Sequence, residues 1–302
     1  VQQLLATQGY VADRDIATAV YLAMTLGKPL LVEGPAGVGK TEIAKVMAQA
    51  LATDLIRLQC YEGLDVHTAV YEWNYQRQLL RIRLEEASDR PVEEKEATIF
   101  SEAFLLKRPL LQAITHPRPP VLLIDELDRA DEEFESFLLE VLSDWQITIP
   151  EIGPIRATHV PYVVITSNQT RDLSDALRRR CLYVWIDYPN FEKELAIVRA
   201  KVPGIDERLA QEICAFMQFL RRQKLEKTPG VAETLDWAAA LVALHRNALD
   251  AATLEETMGL ICKYRNDVVR LKNQYLPHIL ARLERLRREE TVWSQATIEA
   301  VL

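Results

Sequence analysis

The sequence lacks an excess of basic residues. Of its 302 residues, 36 are Lys or Arg and 44 are Asp or Glu, so the formal net charge is −8. A surface that neutralises nucleic-acid phosphates is usually basic, so this balance disfavours a dedicated nucleic-acid binder. Apolar residues make up 49% and charged residues 26%, which is the balance of an ordinary folded protein. The composition therefore excludes a disordered or collagen-like chain.

Long apolar runs and patterned cysteines are also missing. No run approaches the roughly 18 apolar residues that can span a bilayer, so we expect no membrane span. The four cysteines are scattered and form no CxxC pair: Cys60, Cys181, Cys214 and Cys262. Scattered thiols favour core packing in a reducing compartment over disulfides or zinc, and we expect a cytoplasmic protein.

Short apolar runs separated by helical stretches fill the first two thirds of the chain. Five of them are predicted strands: Leu30 to Glu33, Leu55 to Gln59, Val121 to Asp125, Tyr162 to Thr166 and Leu182 to Ile186. Continuous apolar runs of this length are typical of parallel strands that are buried on both faces. The sequence therefore predicts an α/β fold with a doubly wound, five-stranded parallel sheet.

Two stretches do not fit simple crossovers between these strands. Residues from about 65 to 106 are predicted to form an insertion with its own helices and a charged, solvated tip at SDRPVEEKE. Residues from about 146 to 157 alternate apolar and polar side chains around a Gly-Pro turn, which predicts a β-hairpin. After Pro189 only helical periodicity remains. We therefore expect an α/β domain over residues 1–189 and a helical domain over residues 190–302.

Residues 34–41 read GPAGVGKT and fit the phosphate-binding pattern G-x-x-x-x-G-K-[ST] between a predicted strand and a predicted helix. The glycines allow backbone N–H groups to converge on phosphates, and the following helix adds its positive end. Lys40 is expected to bridge the β- and γ-phosphates, and Thr41 to bind Mg²⁺. The predicted nucleotide-binding segment consists of Gly34, Pro35, Ala36, Gly37, Val38, Gly39, Lys40, Thr41 and Glu42.

A second motif, VLLIDE, ends in Asp125 and Glu126. In an open parallel sheet, an acidic residue at the carboxyl end of a strand lies beside the phosphate loop. Asp125 is expected to hold Mg²⁺ through water, and Glu126 to activate the attacking water. A guanine-reading NKxD element is missing at a suitable strand–loop position, so ATP is favoured over GTP.

With these motifs the sequence resembles the AAA+ ATPases and, within them, the MoxR family. The resemblance rests on GPAGVGKT, on VLLIDELDRADEEFESFLLEVLSD, on a fourth strand ending in Ser167-Asn168 and on DALRRRC. The stretch LQCYEGLDVHTAVYEWNYQRQLL is similar to the CoxD-like subgroup, which is associated with maturation of the copper–molybdenum site of carbon monoxide dehydrogenase. The resemblance implies an AAA+ core with a C-terminal, all-helical lid domain.

The resemblance also implies roles for single residues. Asn168 matches the sensor 1 residue that helps to place the attacking water. Arg180 matches the arginine finger that acts on the ATP of a neighbouring subunit, although Arg178 or Arg179 could take this part instead. Tyr10 and Val11 lie where AAA+ proteins contact adenine, and simple packing of the first helix is the alternative. The insertion and the hairpin would face the pore or the client.

Two departures from the family pattern alter these expectations. A sensor 2 arginine is expected at the start of a lid helix, but TPGVAETLDW offers Ala232 or Glu233 there, so turnover is expected to be slow. Asp128 stands where many relatives have asparagine in DEINRA, while Arg129 is retained.

The function that follows from the resemblance is that of a ring-forming ATPase. It would assemble as a homo-oligomer, a hexamer, and would use ATP and Mg²⁺ to remodel a metalloenzyme client together with a von Willebrand factor A-domain partner. Two alternatives stay open. One is a nucleic-acid motor or clamp-loader-like ATPase, which the net charge disfavours. The other is a nucleotide-dependent scaffold with little turnover, which the missing sensor 2 arginine permits.

Overall fold

A computed structural model describes residues 1–85, 91–288 and 293–301 of the chain. These residues form two compact units. The first contains Val1, Arg14–Glu33 and Thr41–Trp185. The second contains Gln2–Asp13, Gly34–Lys40 and the residues from Ile186 onward.

The described residues contain sixteen α-helices and nine strands. The helices before residue 186 are α1 (Gln2–Thr7), α2 (Arg14–Leu26), α3 (Lys40–Ala50), α4 (Val66–Val70), α5 (Tyr75–Glu85), α6 (Val92–Ile99), α7 (Pro109–Ile114), α8 (Glu132–Asp144) and α9 (Asp175–Arg180). Those after it are α10 (Phe191–Lys201), α11 (Glu207–Arg221), α12 (Val231–Ala243), α13 (Ala251–Ile261), α14 (Arg265–Arg270), α15 (Leu276–Arg288) and α16 (Gln295–Val301). The strands are β1 (Leu30–Glu33), β2 (Leu55–Gln59), β3 (Tyr71–Trp73), β4 (Leu105–Lys107), β5 (Val121–Asp125), β6 (Gln146–Ile149), β7 (Gly153–Arg156), β8 (Tyr162–Ser167) and β9 (Leu182–Trp185).

Five parallel strands form the sheet of the first unit, in the order β2-β5-β8-β1-β9. All residues of β1 and β5 are buried, as expected for strands covered on both faces. Because all five strands run in one direction, their carboxyl ends meet at one edge of the sheet. This architecture confirms the predicted α/β fold, with β8 one residue longer and β9 one residue shorter than predicted.

The insertion contains more than helices. Besides α4, α5 and α6 it carries an antiparallel pair of short strands, β3 and β4, in which Tyr71 lies opposite Lys107. The indole ring of Trp73 contacts the ring of Phe100 edge to face, with centroids 5.4 Å apart. Trp73 also belongs to the hydrophobic core of the first unit, so the insertion is packed onto that core. Part of the predicted charged tip, residues 88–90, lies outside the described residues.

The hairpin forms as β6 and β7, but its turn differs from the predicted one. Ile149 pairs with Gly153, so the reversal takes place over residues 150–152. Gly153 and Pro154 therefore begin β7 instead of forming the turn. Pro154 lies opposite Thr148 in a two-stranded ribbon, where a proline costs little because no further strand needs its missing N–H.

The second unit is dominated by helices packed around α11. Eleven of the fifteen residues of α11 are buried, and Trp237 of α12 packs against Phe216 with ring centroids 5.2 Å apart. The buried carboxylate of Glu194 accepts hydrogen bonds from Nη2 and Nη1 of Arg221 at 2.6 and 2.7 Å. Within the described part of the chain, no helix combines the length and apolar character that crossing a membrane requires.

Candidate active site

The phosphate loop, residues 34–40, joins the end of β1 to the first residue of α3. Gly34 is required for steric reasons, because a Cβ atom at this position would lie 2.0 Å from the carbonyl oxygen of Ile186. Lys40 is 6% exposed, and its Nζ donates to the carbonyl oxygens of Gly34 and Pro35 at 2.7 and 2.6 Å. The lysine is thus held within the loop, at the start of a helix.

The amino end of α12 binds this loop through its backbone. The N–H groups of Val231 and Ala232 donate to the carbonyl oxygen of Gly37 at 2.8 and 3.2 Å. Glu233, at the position where a sensor 2 arginine was sought, instead caps the helix by accepting from the N–H of Gly230 at 2.9 Å. The departure from the family pattern therefore coincides with a different local structure, in which Glu233 caps the amino end of α12 where that end contacts the phosphate loop.

A methyl group at residue 230 should separate α12 from the loop. The φ of Gly230 is −88°, which alanine tolerates, but its Cβ would lie 2.8 Å from the Cα of Gly37. We expect Gly230→Ala to lower the free energy of unfolding by about 1–3 kcal/mol, as overpacking does. Chemical denaturation measures this change.

Gly259→Ala is the matched control for this substitution. Gly259 lies within α13 and has no atom within 4 Å of its would-be Cβ, so alanine should raise helix stability by roughly 1 kcal/mol or less. A Gly230→Ala protein as stable as the wild type would contradict the contact between α12 and the loop.

Asp125 is the centre of a polar cluster at the carboxyl edge of the sheet. Its carboxylate is 3% exposed and accepts from the Thr166 hydroxyl at 2.6 Å and from the Thr41 hydroxyl at 3.1 Å. Its other oxygen, Oδ2, accepts from Nη2 of Arg57 at 2.5 Å and from Nε at 3.1 Å. Every partner is a donor, as a buried carboxylate requires.

The donor set at Asp125 suits Mg²⁺. The Thr41 hydroxyl and Oδ1 of Asp125 are hard oxygen ligands and lie next to each other. Thr41 directly follows the phosphate loop, and Asp125 is the last residue of β5, the strand that is predicted to carry the metal ligand. Magnesium usually binds one or two protein oxygens and fills its remaining positions with phosphate oxygens and water. Among residues 1–85, 91–288 and 293–301, no group of three His, Cys, Asp or Glu side chains is placed to hold a metal ion.

Glu126 is held in a left-handed backbone conformation, with φ of 55° and ψ of 50°. A residue other than glycine pays about 1–3 kcal/mol for such strain, which persists mainly at functional sites. Its N–H donates to the Thr166 hydroxyl at 2.9 Å, so one threonine supports both acidic residues. This turn directs the Glu126 side chain away from the strand.

Three side chains donate to the Glu126 carboxylate. The Asn168 amide reaches Oε1 at 3.3 Å, and the Gln59 amide reaches Oε2 at 3.2 Å. The Arg129 guanidinium forms an ion pair with Oε2 at 3.0 Å. Glu126, Asn168, Asp125 and Thr41, four of the residues singled out in the sequence, are therefore brought into one connected cluster.

The three arginines of DALRRRC have different environments on α9. Arg178 points inward, and its Nη2 and Nη1 donate to the buried carboxylate of Glu33 at 2.9 and 3.1 Å. Arg179 and Arg180 are exposed. The Arg180 side chain lies along the surface and donates to the Ser143 hydroxyl at 3.1 Å. Arg178 therefore forms an ion pair within its own subunit, whereas Arg179 and Arg180 lie on the surface.

Tyr10 and Val11 lie in the connection between α1 and α2, in the unit that also contains residues 34–40. Both are half-buried, and the backbone N–H of Tyr10 donates to the carbonyl oxygen of Leu5 at 3.1 Å. Their contact with adenine stays a prediction.

The buried cysteines are protonated thiols. At Cys60, which follows β2, burial and, to a smaller extent, the charges of Asp125, Asp128 and Glu126 together raise the pKa to about 12. Burial likewise raises the pKa of Cys181 to about 12. A thiol with such a pKa is a poor nucleophile at neutral pH.

Sequence reasoning missed several residues of the site. Arg57, Gln59 and Thr166 contact the two acidic residues but belong to no motif. One signal was present, because Arg57 is a charged residue within the apolar strand LIRLQ. Asp128, noted as a departure, is buried and accepts from the Thr170 hydroxyl at 2.6 Å.

A comparison with known families identifies the family of this chain. The family described as "ATPase family associated with various cellular activities (AAA)" matches residues 30–186, just over half of the chain. The chain belongs to this family. The matched part of this AAA ATPase runs from the first strand of the sheet to the end of its last strand and contains the phosphate loop, both acidic residues, Asn168 and Arg180.

Relatives are found in staphylococci. The chain is 23% identical over 248 residues to an uncharacterized protein of Staphylococcus haemolyticus, covering 80% of this chain and 86% of the relative. It is 25% identical over 217 residues to uncharacterized proteins of Staphylococcus epidermidis and Staphylococcus aureus, covering 70% of this chain and 74% of each relative. The descriptions of these relatives name no substrate or partner.

Solved structures of Thermotoga maritima RuvB, described as a Holliday junction branch migration motor, are also similar. One covers 86% of this chain and 69% of that chain at 18% identity and a TM-score of 0.46. A single-substitution variant of the same RuvB covers 90% and 81% at 17% identity and a TM-score of 0.49.

Proposed function

We propose that this AAA ATPase is a MoxR-type, ring-forming enzyme that hydrolyses ATP with Mg²⁺ in order to remodel a client protein. The observation that carries the proposal is the position of Glu126. Its carboxylate receives the Asn168 amide at 3.3 Å, while Asp125 beside it receives the Thr41 hydroxyl at 3.1 Å. A general base, a polar residue that can orient water, and a metal-binding pair are the parts that phosphoryl transfer needs.

In this proposal the chain's own residues divide the work. Backbone N–H groups of residues 36–41 bind the phosphates, and Lys40 exchanges the carbonyl oxygens of Gly34 and Pro35 for the β- and γ-phosphates. Thr41 and Asp125 would hold Mg²⁺, which neutralises charge on the phosphate oxygens. Asn168 orients a water molecule, and Glu126 accepts its proton as the water oxygen bonds to the γ-phosphorus. The bond between that phosphorus and the bridging oxygen breaks, and ADP leaves.

The ring is proposed because the exposed Arg180 can serve a neighbouring subunit. An additional cation stabilises the charge that spreads over the transferring phosphoryl group. With the finger on one subunit and Glu126 on the next, hydrolysis requires assembly. The division into a core over residues 1–189 and a lid over residues 190–302 belongs to this proposal, as does the hexamer.

The client side of the proposal is supported by α5. Its apolar residues Tyr75, Leu79 and Leu84 are 60–67% exposed, whereas its polar residues Gln78 and Glu85 are buried. A helix that exposes its apolar residues is typical of a surface that binds another protein. The similarity to the CoxD-like subgroup points to a metalloenzyme of the molybdenum–copper carbon monoxide dehydrogenase class as client, with a von Willebrand factor A-domain protein as partner.

The proposal is tested by measuring ATP turnover per protomer over a wide range of protein concentrations. We expect turnover to rise steeply with concentration, because the complete site forms only in the assembled ring. Constant turnover per protomer, in a protein that does not associate, would contradict the ring.

Two additions to the same assay test the alternatives. Strong stimulation by single- or double-stranded DNA, with a steep salt dependence, would favour the nucleic-acid motor. Tight ATP binding and assembly with negligible turnover would favour the scaffold.

A further inference from the structure

The last residue of β1 is a buried carboxylate that the proposed chemistry does not use. Glu33 is 0% exposed and ends a strand with neighbours on both sides, where it lies opposite Ser167 of β8 and Trp185 of β9. The next residue in the chain is Gly34, the first of the phosphate loop. A buried charge destabilises the fold unless it is paired, so the partners of Glu33 indicate what its carboxylate does.

Its main partner is Arg178 on α9. Nη2 of Arg178 donates to Oε1 at 2.9 Å and Nη1 donates to Oε2 at 3.1 Å, so the guanidinium forms a two-pronged contact with the carboxylate. Burial lowers the pKa of Arg178, but the hydrogen bonds and charge of Glu33 outweigh it and the pKa is raised overall. Two parallel bonds fix the orientation of a planar guanidinium as well as its distance.

This contact helps to fix the rotation of α9. The helix has only six residues, and its inner side is held by the fully buried Leu177 and by the bond of Arg178 to Glu33. Arg180 follows Arg178 by two residues, a turn of about 200° around a helix axis. An inward Arg178 therefore directs Arg180 outward. The side-chain exposure agrees, since Arg178 is 31% exposed and Arg180 lies on the surface.

The same carboxylate also binds the loop that carries Asn168. The amide of Gln169 donates to Oε2 of Glu33 at 2.9 Å. Gln169 has a left-handed φ of 58°, and its N–H donates to the Ser167 hydroxyl at 3.0 Å. Glu33 thus connects the strand that leads into the phosphate loop, the loop after β8 and the helix that bears Arg180.

We propose that Glu33 and Arg178 are positioning residues that direct Arg180 toward the nucleotide site of the neighbouring subunit. The strand leading into the phosphate loop of one site thereby serves as the anchor for the finger that completes the next site. This inference rests on the proposed ring with Arg180 as its finger, and it adds the element that holds the finger.

The test uses variants that remove the contact without leaving an unpaired charge. Arg178→Met alone would leave the buried Glu33 carboxylate without its counter-ion, and Glu33→Gln alone would leave the Arg178 guanidinium without its own, so either single change is expected to destabilise the fold. The double variant Glu33→Gln/Arg178→Met leaves neither charge and keeps an acceptor for Gln169. Arg178→Lys is a second variant, in which the opposite charge remains but the two-pronged contact is lost.

A matched control removes a similar pair elsewhere. In the second unit, Glu212 is 0% exposed and accepts from Nε and Nη2 of Arg287, both at 2.6 Å. Glu212→Gln/Arg287→Met therefore deletes a comparably buried pair that belongs to the other unit. We expect this control to change thermal stability but to keep the turnover of the wild type.

The decisive measurement mixes each variant with Glu126→Gln subunits and compares turnover before and after mixing. Alone, the double variant should bind a fluorescent ATP analogue normally but lose turnover by about 100-fold, the cost of misplacing a reacting group by about 1 Å. In mixed rings turnover should return, because a variant subunit with an intact Glu126 then receives a correctly held Arg180 from a Glu126→Gln neighbour. Arg178→Lys should show the same pattern with a smaller loss.

Arg180→Ala, mixed in the same way, separates the two possible failures. If Arg180→Ala regains turnover on mixing and the double variant does not, the pair acts only within its own subunit and the inference is overturned. If neither regains turnover, sites shared between subunits do not exist, and the ring proposal fails together with the inference. A double variant with wild-type turnover would also overturn it.

Discussion

Arg180→Ala should abolish most ATP turnover and leave nucleotide binding intact. The side chain is exposed, and its contacts within the subunit, to the Ser143 hydroxyl and the carbonyl oxygen of Ala176, are peripheral. Its removal should therefore cost little stability. If it acts on the neighbouring nucleotide, it stabilises charge that develops only in the transition state, and we expect turnover to fall about 10³-fold.

Arg179→Ala is the comparison that assigns the finger. Arg179 is also exposed and carries the same charge on the same short helix. Both variants should keep their affinity for a fluorescent ATP analogue and their state of assembly, measured by sedimentation. If Arg179→Ala loses turnover and Arg180→Ala keeps it, the finger is Arg179. If both keep it, α9 supplies no finger.

The structure narrows this choice through a contact that sequence reasoning could not provide. In the sequence, Arg178, Arg179 and Arg180 are equivalent members of one basic run. Their difference arises because Arg178 finds a carboxylate that lies 145 residues earlier in the chain. Such a pairing depends on β1 and β9 being neighbours in the sheet, and no local pattern reports that order.

The strands of the sheet, in contrast, are predictable to within a residue. Val121–Asp125 and Leu30–Glu33 are continuous apolar runs because both of their faces are covered by helices, and the pattern is visible in the sequence itself. The short strands β3 and β4 were not predicted. Three residues, such as Tyr71–Trp73, are too few to establish an alternating pattern, and the pairing of β3 with a strand more than 30 residues later stabilises both.

The residues of the site likewise divide into those that a local sequence pattern reveals and those that depend on the pairing of strands. Thr41, Asp125, Glu126 and Asn168 were identified because a motif or a strand end carries them. Gln59, Arg57 and Thr166 were not, since each joins the cluster only through the register of neighbouring strands. Gln59, for example, lies opposite Asp125 in the pairing of β2 with β5, and this register brings its amide to Glu126.

Glu126→Gln should separate ATP binding from hydrolysis. Glutamine has the shape of glutamate and keeps an oxygen that can accept from Asn168, but it cannot take a proton from water. Loss of a general base typically costs about 10²–10⁴-fold in rate, and we expect turnover to fall within this range. Nucleotide affinity should persist, because the phosphate loop and the pair of Thr41 and Asp125 are unchanged.

The control for this variant is Glu133→Gln, which makes the same change at an exposed position in the first turn of α8. Single-turnover measurements with saturating enzyme should show that Glu133→Gln hydrolyses ATP at the wild-type rate, while Glu126→Gln retains bound ATP. Little difference between Glu126→Gln and the wild type would mean that the wild type itself hardly hydrolyses ATP, and the scaffold would then replace the remodelling ATPase.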